Sequence, residues 1–277
     1  MKRLHYALIV SDFDGTLVRD DGNIDEENKI AIKEYTENGG IFAISTGRMP
    51  YGILPRAKEL GLKGILCACQ GAVIMDIESG ETLLEGTIPC EITVDICEKM
   101  EALGLHIHVY DQTDYYCNMD DDALKLYQKA VRTTPILVTD KPMSVYVKEK
   151  GICAYKVLAM VNPKDNVRIM QALEKENFTG CCVTKSADFL VEVINASYSK
   201  GTAVEFLAER YGVPIEKTIG VGDQQNDIPM IKAAGLGIAV KNADEALKKE
   251  AVVLEYTNEE AAIAKIIEKY GYTEDKI

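Results

Sequence analysis

Short apolar runs alternate with segments of helical periodicity in the first third of the chain. The runs at residues 8–10, 41–44 and 65–68 are continuous and are bounded by polar residues, which is typical of strands buried on both faces. Between them, apolar residues recur at helical spacing over residues 25–39 and again over residues 54–60. This alternation predicts a parallel sheet covered by helices on both sides.

The last third of the chain repeats this pattern. Ser199 is a suitable N-cap for a helix that Gly212 would end, and a strand at residues 218–221 follows it. A further helix and a strand at residues 236–240 come next, and the pair Thr257 and Glu260 has the spacing of a capping box before a final helix.

The middle of the chain has a different pattern. HIHVY, DQTD and YYCNM read as strand, turn and strand, and residues 91–103 and 122–131 read as helices. We therefore predict an α/β fold whose doubly wound, Rossmann-like parallel-sheet core is interrupted by an inserted α+β cap domain. The predicted core is formed by residues 1–86 and 191–277, and the predicted cap by residues 87–190.

Composition narrows the possible partners and location. The 277 residues are 47% hydrophobic and carry a formal net charge of −13, so two cores can form and nucleic acid or a membrane surface is disfavoured. The sequence has no apolar run approaching the roughly 20 residues of a membrane span. Its eight cysteines form no C-x-x-C pair and are expected to be free thiols. We predict a cytoplasmic protein, and the sequence does not predict its oligomeric state.

Polar clusters follow four of the predicted strands. They are DFDGT, STGR, the pair Gln70-Gly71, and GDQQND. Because the carboxyl ends of parallel strands meet at one edge of a sheet, residues far apart in sequence would gather there. Four of them are carboxylates, whose mutual repulsion favours a divalent cation held by oxygen ligands, and Mg²⁺ fits best. These residues are Asp12, Asp14, Asp223 and Asp227.

Neutral and basic groups at the same edge predict a phosphate site. Lys200 at a helix start, together with Thr46 and Gly47, would complete an anion pocket beside the metal. Such a site suits phosphoryl transfer, in which a carboxylate can act as the nucleophile.

The motifs DFDGT, STGR, SKG and GDQQND, in that order, resemble the four motifs of the haloacid dehalogenase superfamily. The subgroup resembled is the Cof-type phosphatases (type IIB), which carry a large α/β cap between the second and third motifs. The resemblance implies that Asp12 is the nucleophile and a Mg²⁺ ligand, and that Asp14 is the general acid/base with its backbone carbonyl on the metal. It also implies roles for five residues that bind phosphate or metal or orient the ligands. These are Thr46, Lys200, Asp223, Asn226 and Asp227.

The expected function is Mg²⁺-dependent hydrolysis of small phosphorylated metabolites, either sugar phosphates or phosphorylated cofactors, through an aspartyl-phosphate. Two alternatives remain open: a phosphomutase or phosphotransferase on the same core, and a non-catalytic protein that senses a phosphorylated ligand. Arg48 could contact phosphate or form a salt bridge. Gln70 stands where the family usually has Asn, so a substrate contact from that position is in doubt.

Several polar features of the predicted cap have simpler interpretations. The run Asp120-Asp121-Asp122 is typical of the acidic first turn of a helix. His106 and His108 share a face of a strand, but two histidines without a third partner make a poor metal site, so a structural or solvent-facing role is favoured over substrate contact. A third group is expected to pack in the hairpin, with substrate stacking as the alternative. Its members are Tyr110, Tyr115 and Tyr116.

Overall fold

The structure of the protein, a computed structural model, describes residues 3–131 and 133–273. The strands are β1 (Leu8–Asp12), β2 (Ile41–Ser45), β3 (Ile65–Ala68), β4 (Val73–Asp76), β5 (Thr82–Glu85), β6 (His106–Tyr110), β7 (Tyr115–Cys117), β8 (Ile136–Leu137), β9 (Lys156–Met160), β10 (Cys181–Ala187), β11 (Leu190–Asn195), β12 (Thr218–Gly222), β13 (Leu236–Ala239) and β14 (Val252–Val253). The helices are α1 (Glu26–Glu37), α2 (Pro50–Glu59), α3 (Cys90–Ala102), α4 (Asp122–Val131), α5 (Met143–Lys150), α6 (Asn166–Lys175), α7 (Lys200–Tyr211), α8 (Ile228–Ala233), α9 (Glu245–Lys248) and α10 (Ala262–Ile266).

The first of two compact units contains the parallel sheet. It is formed by Leu54–Leu84 and by the described residues before Arg48 and after Tyr198. Its sheet has the strand order β14-β13-β12-β1-β2-β3-β4-β5. The strands from β14 to β3 pair in parallel, and β4 runs antiparallel to β3.

Strand β1 lies near the middle of this sheet because it can be buried on both faces. All five of its residues are buried. Leu8 and Val10 point to one face, where they join a core with Val204 and Leu207 of α7. The register places Ile9 on the opposite face, next to Phe42 and Ile219 of the flanking strands. This is the helix-covered parallel sheet that the apolar runs predict.

The second unit comprises Arg48–Ile53 and Glu85–Tyr198. Its sheet has the strand order β10-β11-β9-β6-β7-β8 and is antiparallel except for the pair β7 and β8. One face of this sheet packs against α3, α5 and α6 through an apolar core that includes Ile107 and Val109 of β6. The alternate residues of β6 face the other way and carry polar and aromatic side chains.

Several boundaries differ from the sequence-based expectation. Helix α2 begins at Pro50 rather than at Leu54, because proline is favoured in the first turn of a helix. The predicted insertion, residues 87–190, lies within the second unit, which ends at Tyr198. The boundary at residue 190 falls on the first residue of β11, which pairs along its length with β9 and β10.

Within the described part of the chain, every helix is too short or too polar to cross a membrane. All eight cysteines are free thiols, as the sequence predicts.

Candidate active site

Three loops of the first unit meet because their strands are neighbours in the sheet. Strand β1 pairs with β2 on one side and with β12 on the other. Asp12 is the last residue of β1, and its partner in register is Ser45, the last residue of β2. Gly222 ends β12, so the loop with Asp223 begins at the same edge. Residues about 200 positions apart in sequence are thus brought together, as the topology of a parallel sheet requires.

Lys200 lies between two carboxylates in the interior of the first unit. Its ammonium donates to Oδ1 of Asp12, and to Oδ1 of Asp227 at 2.5 Å. The lysine side chain is only 1% exposed. Burial lowers the pKa of Lys200, but Asp12 and Asp227 outweigh burial and raise it above its ordinary value. The lysine therefore stays positively charged, and it fixes the orientation of both carboxylates.

The position of Lys200 follows from the start of α7. The Ser199 hydroxyl accepts a hydrogen bond from the Thr202 N–H, and the Thr202 hydroxyl accepts one from the Ser199 N–H. This capping box fixes the first turn of the helix, to which Lys200 belongs. A positive charge at the N-terminus of a helix is unfavourable because of the helix dipole. The negative charges of Asp12 and Asp227 offset this unfavourable interaction.

Asp223 accepts hydrogen bonds from two neighbouring side chains. Its Oδ1 accepts a hydrogen bond of 2.9 Å from the Thr16 hydroxyl, and its Oδ2 accepts one of 3.2 Å from the Gln224 side-chain amide. Burial and the charge of Asp227 raise the pKa of Asp223 to about 6. Gly15 lies close by, with φ +78°, and a Cβ atom there would approach Oδ2 of Asp223 to 2.6 Å. Glycine is therefore required at this position both for its backbone angle and for the space it leaves.

Asp227 organises the loop that carries Asp223. Its Oδ2 accepts hydrogen bonds of 3.0 Å from the backbone N–H groups of Asp223 and Gln224, while its Oδ1 binds Lys200. Asp227 is fully buried. Both oxygens of Asp227 accept hydrogen bonds, and through them Asp227 positions the loop and Lys200.

The carboxylates form a group that could hold a cation. Asp12, Asp223 and Asp227 each offer an oxygen, and these oxygens lie within 4.8 Å of one another. Burial raises the pKa of Asp12 well above its usual range, Asp227 and Asp223 add to this effect, and Lys200 opposes it. One ammonium does not balance three buried carboxylates, so a divalent cation would relieve the remaining repulsion. The donors are all oxygen atoms, which fit Mg²⁺ and not a soft metal.

Other residues predicted for the site lie along the same edge. Asp14 is exposed, two residues beyond the buried Asp12. Thr46 is buried, and its backbone N–H donates to the Cys67 carbonyl at 2.8 Å. A Cβ atom at Gly47 would lie 2.7 Å from Nε2 of Gln70, so the loop after β2 approaches the turn after β3 closely.

Gln70, the position that departs from the family pattern, lies in a left-handed conformation with φ +60°. Its side-chain oxygen accepts a hydrogen bond of 3.1 Å from the Asn226 amide. The Asn226 Oδ1 atom is buried and has no hydrogen-bond partner among the described residues. A hydrogen-bond donor from outside these residues would satisfy it, since buried polar atoms are rarely left unpaired.

Arg48 differs from the other predicted residues, because it groups with the second unit. There, burial raises the pKa of the Tyr127 hydroxyl, while the nearby cations Lys156 and Arg48 lower it. The expected contact of Arg48 with phosphate stays a prediction.

Sequence reasoning overlooked two residues at this edge. Thr16 was recognised only as part of the DFDGT motif, and the structure shows its hydroxyl holding Asp223. The hydroxyl of Ser45 is buried without a partner among the described residues. The pairing of Ser45 with Asp12 at the strand ends was the signal that could have drawn attention to it.

Comparison with known proteins identifies the family. A family model described as haloacid dehalogenase-like hydrolase matches residues 9–267, so the chain belongs to this family. The match confirms the resemblance predicted from the four motifs, and it confirms the predicted enzyme class, a phosphatase of the haloacid dehalogenase type.

Relatives of known sequence and structure match nearly end to end. Phosphatase YwpJ of Bacillus subtilis is 28% identical, and the alignment covers 93% of this chain and 97% of the relative. The 5-amino-6-(5-phospho-D-ribitylamino)uracil phosphatase YcsE of the same organism is 29% identical, with 94% of each chain covered. A haloacid dehalogenase-like hydrolase from Bacteroides thetaiotaomicron has a crystal structure that superposes with a TM-score of 0.80 at 28% identity, covering 95% of this chain and 99% of that one. These matches confirm the predicted α/β fold with its inserted cap.

Proposed function

We propose that this phosphatase hydrolyses phosphate monoesters of small metabolites through an aspartyl-phosphate on Asp12, with Mg²⁺ as cofactor. The observation that carries the proposal is the buried contact of Asp12 with Lys200, beside Asp223 and Asp227. A buried carboxylate with one oxygen fixed by an ammonium is held in a single orientation, as a nucleophile has to be.

In the first half of the reaction, Oδ2 of Asp12 attacks phosphorus while Oδ1 stays bound to Lys200. The bond from phosphorus to the leaving oxygen breaks, and that oxygen takes a proton from Asp14. Asp14 suits this role because it is exposed and lies two residues beyond the buried Asp12. In the second half, Asp14 removes a proton from water, the water oxygen attacks phosphorus, and inorganic phosphate leaves as Asp12 is regenerated.

The remaining groups of the site bind the phosphoryl group and hold the cation. Asp12, Asp223 and the backbone carbonyl of Asp14 would hold Mg²⁺, and Asp227 would position the loop and Lys200. When bound, Mg²⁺ supplies positive charge that offsets the carboxylates and the phosphoryl oxygens. The Lys200 ammonium adds to that charge, while Thr46 and Gly47 bind the phosphoryl oxygens.

We propose a phosphorylated sugar or polyol as the substrate class. The name of the YcsE relative describes a phosphate carried on a ribityl chain, which is a polyol. Phosphorylated cofactors form the next group to test. We also propose a cytoplasmic location, because eight free cysteines suit a reducing compartment.

The test is phosphate release from a panel of sugar and polyol phosphates, flavin mononucleotide and pyridoxal phosphate, with Mg²⁺ or with a chelator. We expect Mg²⁺-dependent release that Asp12→Asn reduces about a thousandfold or more. Asp14→Asn should reduce it about 10²- to 10⁴-fold. The matched control is Asp21→Asn, which changes an exposed aspartate in the same segment and should leave activity unchanged.

Two other outcomes would contradict the proposal. Transfer of phosphate to a second metabolite, without accumulation of inorganic phosphate, would indicate a phosphotransferase or phosphomutase. Tight Mg²⁺-dependent binding of a phosphorylated ligand without turnover would indicate a sensor.

A further inference from the structure

A second group of ligand-type side chains lies in the other unit, on β6 and β7. His106 and His108 alternate along β6 and therefore share one face of the sheet. Cys117 on β7 is the partner of His108 in the antiparallel register, so its side chain points to the same face. The sequence alone shows two histidines without a third ligand, and the Cys117 thiol is that third ligand.

Three donor atoms converge there. Nε2 of His106 lies 3.0 Å from Sγ of Cys117 and 3.1 Å from Nε2 of His108. All three donor atoms lie within 4.8 Å of one another. His108 and Cys117 are fully buried, and His106 is 7% exposed.

The outer nitrogens of both histidines have partners that fix the rings. Nδ1 of His106 lies 3.2 Å from a carboxylate oxygen of Asp121, whose other oxygen accepts a hydrogen bond from the Leu124 N–H at the start of α4. Nδ1 of His108 lies 3.3 Å from the Tyr110 hydroxyl. A carboxylate on the outer nitrogen of a histidine is the arrangement that orients metal-bound imidazoles in proteins.

The contact between the two Nε2 atoms restricts which ring nitrogens carry a proton. Since Nδ1 of His106 donates to Asp121, its Nε2 carries a lone pair. Nε2 of His108 then has to carry the proton between them, and its Nδ1 accepts from Tyr110. A metal ion would take both Nε2 lone pairs, and the His108 proton would move to Nδ1 and be donated to the Tyr110 oxygen.

We propose that His106, His108 and Cys117 form a Zn²⁺ site in the second unit, with water as the fourth ligand and Asp121 as the orienting carboxylate. Zinc bonds of about 2.0–2.1 Å to nitrogen and about 2.3 Å to sulfur place two nitrogens about 3.3 Å apart, and nitrogen and sulfur about 3.6 Å apart, at tetrahedral angles. The nitrogen–nitrogen distance of 3.1 Å would have to open by about 0.2 Å and the nitrogen–sulfur distance of 3.0 Å by about 0.6 Å.

The donor set distinguishes this ion from the one proposed for the first unit. Two imidazoles and a thiolate suit zinc and disfavour Mg²⁺, which prefers oxygen ligands. Histidine binds zinc as a neutral imidazole and cysteine binds it as a thiolate, so zinc binding releases the thiol proton.

An adjoining cavity would give the ion and its water a path. The cavity has a volume of about 500 Å³ and is lined by His106 and Asp121 among other residues. It lies within the second unit, and the Asp121 side chain at its wall is 44% exposed. Of the three protein ligands, His106 lines this cavity, and it is also the one with some of its surface exposed, 7%.

The test is a Co²⁺ titration of the metal-free full-length protein, followed by displacement with Zn²⁺. A thiolate bound to Co²⁺ gives a near-ultraviolet charge-transfer band, which carboxylate ligands do not produce. We expect this band to saturate at one equivalent, to disappear on adding Zn²⁺, and to be accompanied by release of one proton per metal ion. Cys117→Ala should remove the band, and Asp121→Asn should weaken the apparent affinity about 10- to 100-fold.

Two control variants separate the site from other thiols and histidines. Cys153→Ala and His5→Ala change an exposed cysteine and an exposed histidine and should leave the titration unchanged. Asp12→Asn should leave the charge-transfer band unchanged, because the carboxylate site proposed for the first unit gives no such band. His106→Gln serves as a second ligand variant, and its far-ultraviolet circular dichroism will show whether it folds.

No charge-transfer band in the folded wild-type protein would overturn the proposal. A band of equal strength and affinity in folded Cys117→Ala or His106→Gln would do the same.

Discussion

Lys200 is the buried cation of the first unit that contacts both Asp12 and Asp227. Its removal would leave those carboxylates in the interior without a countercharge. Breaking a buried ion pair by deleting one partner typically costs about 3–5 kcal/mol. The same deletion would remove positive charge from the proposed phosphoryl site.

We therefore expect Lys200→Met to lower the free energy of unfolding by about 3–5 kcal/mol and to abolish phosphate release. Urea unfolding with and without Mg²⁺ measures the first effect, and Mg²⁺ should restore part of the lost stability by replacing the missing charge. The control is Lys232→Met, which breaks an exposed pair with Glu250 and should change stability by less than about 1 kcal/mol. A loss as small as that of the control would show that Lys200 does not balance the carboxylates.

The pKa of Asp223 predicts how acid affects the metal. Its folded pKa of about 6 lies above the ordinary value of 3.8, so the carboxyl takes up a proton as the pH falls toward and below 6. Protonation removes a proposed ligand, so proton and metal compete. We expect the Mg²⁺ concentration for half-maximal binding to rise as the pH falls through about 6, because Asp223 takes up a proton there, and protonation of Asp12, whose pKa burial also raises, would add to this rise. Titration calorimetry between pH 5 and 8 measures this, and a constant affinity would contradict the assignment of Asp223 as a ligand.

Gly15 combines two constraints that a matched pair of variants can separate. Gly15 and Gly80 have nearly the same backbone angle, φ +78° and +76°, but only at Gly15 would a Cβ atom meet Asp223. A left-handed alanine costs roughly 1 kcal/mol, so Gly80→Ala should lose about this much stability in denaturant unfolding, and Gly15→Ala should lose at least as much because its Cβ also meets Asp223. Gly15→Ala alone should also bind Mg²⁺ at least tenfold more weakly in calorimetry. Equal metal affinity in the two variants would show that the contact with Asp223 is unimportant.

At the scale of the secondary-structure elements, the capping box of α7 links local helix stability to the proposed catalytic lysine. The Ser199 hydroxyl satisfies the N–H of Thr202, and Lys200 lies in the turn between them. Ser199→Ala should lower the free energy of unfolding by about 1 kcal/mol. Because the first turn would be less firmly fixed, it should also lower kcat.

Kinetics and urea unfolding of the same sample separate these two effects. The control is Asp25→Ala at the N-cap of α1, which should lose stability without a comparable loss of kcat. An unchanged kcat in Ser199→Ala would show that the cap acts on stability alone.

The elements that sequence could predict are those whose pattern has a single interpretation. Continuous apolar runs identified β1, β2 and β3, and helical periodicity with an acidic first turn identified α4 at Asp122–Val131. Helix α5 (Met143–Lys150) is short, and the exposed Val145 interrupts the spacing of the buried Met143 and Val147, so the sequence pattern does not predict it. The sequence pattern places the start of α2 at Leu54 instead of Pro50, because Pro55 inside the helix is read as a helix breaker.

At the scale of the whole molecule, the two proposed sites differ in how far sequence could reveal them. Asp12, Lys200, Asp223 and Asp227 were predicted together, because the topology of a parallel sheet brings the ends of its strands to one edge. Thr16 and Cys117 were not predicted as partners. Their contacts depend on loop geometry and on the register of an antiparallel pair, which one sequence does not specify.

The place of β12 in the sheet has a consequence for synthesis on the ribosome. The strand that carries Asp12 is made before the second unit, but its neighbour β12 and the helix with Lys200 follow the entire second unit. A nascent chain that stops short of them exposes one long edge of β1 and has no cation for its acidic loop. The second unit can begin to form before the segment after Tyr198, which completes the first unit, has been made. During that time the hydrophobic edge of β1 is unpaired, and chaperones would have to protect it. The proposed nucleophile thus meets its lysine only after the whole second unit has been made.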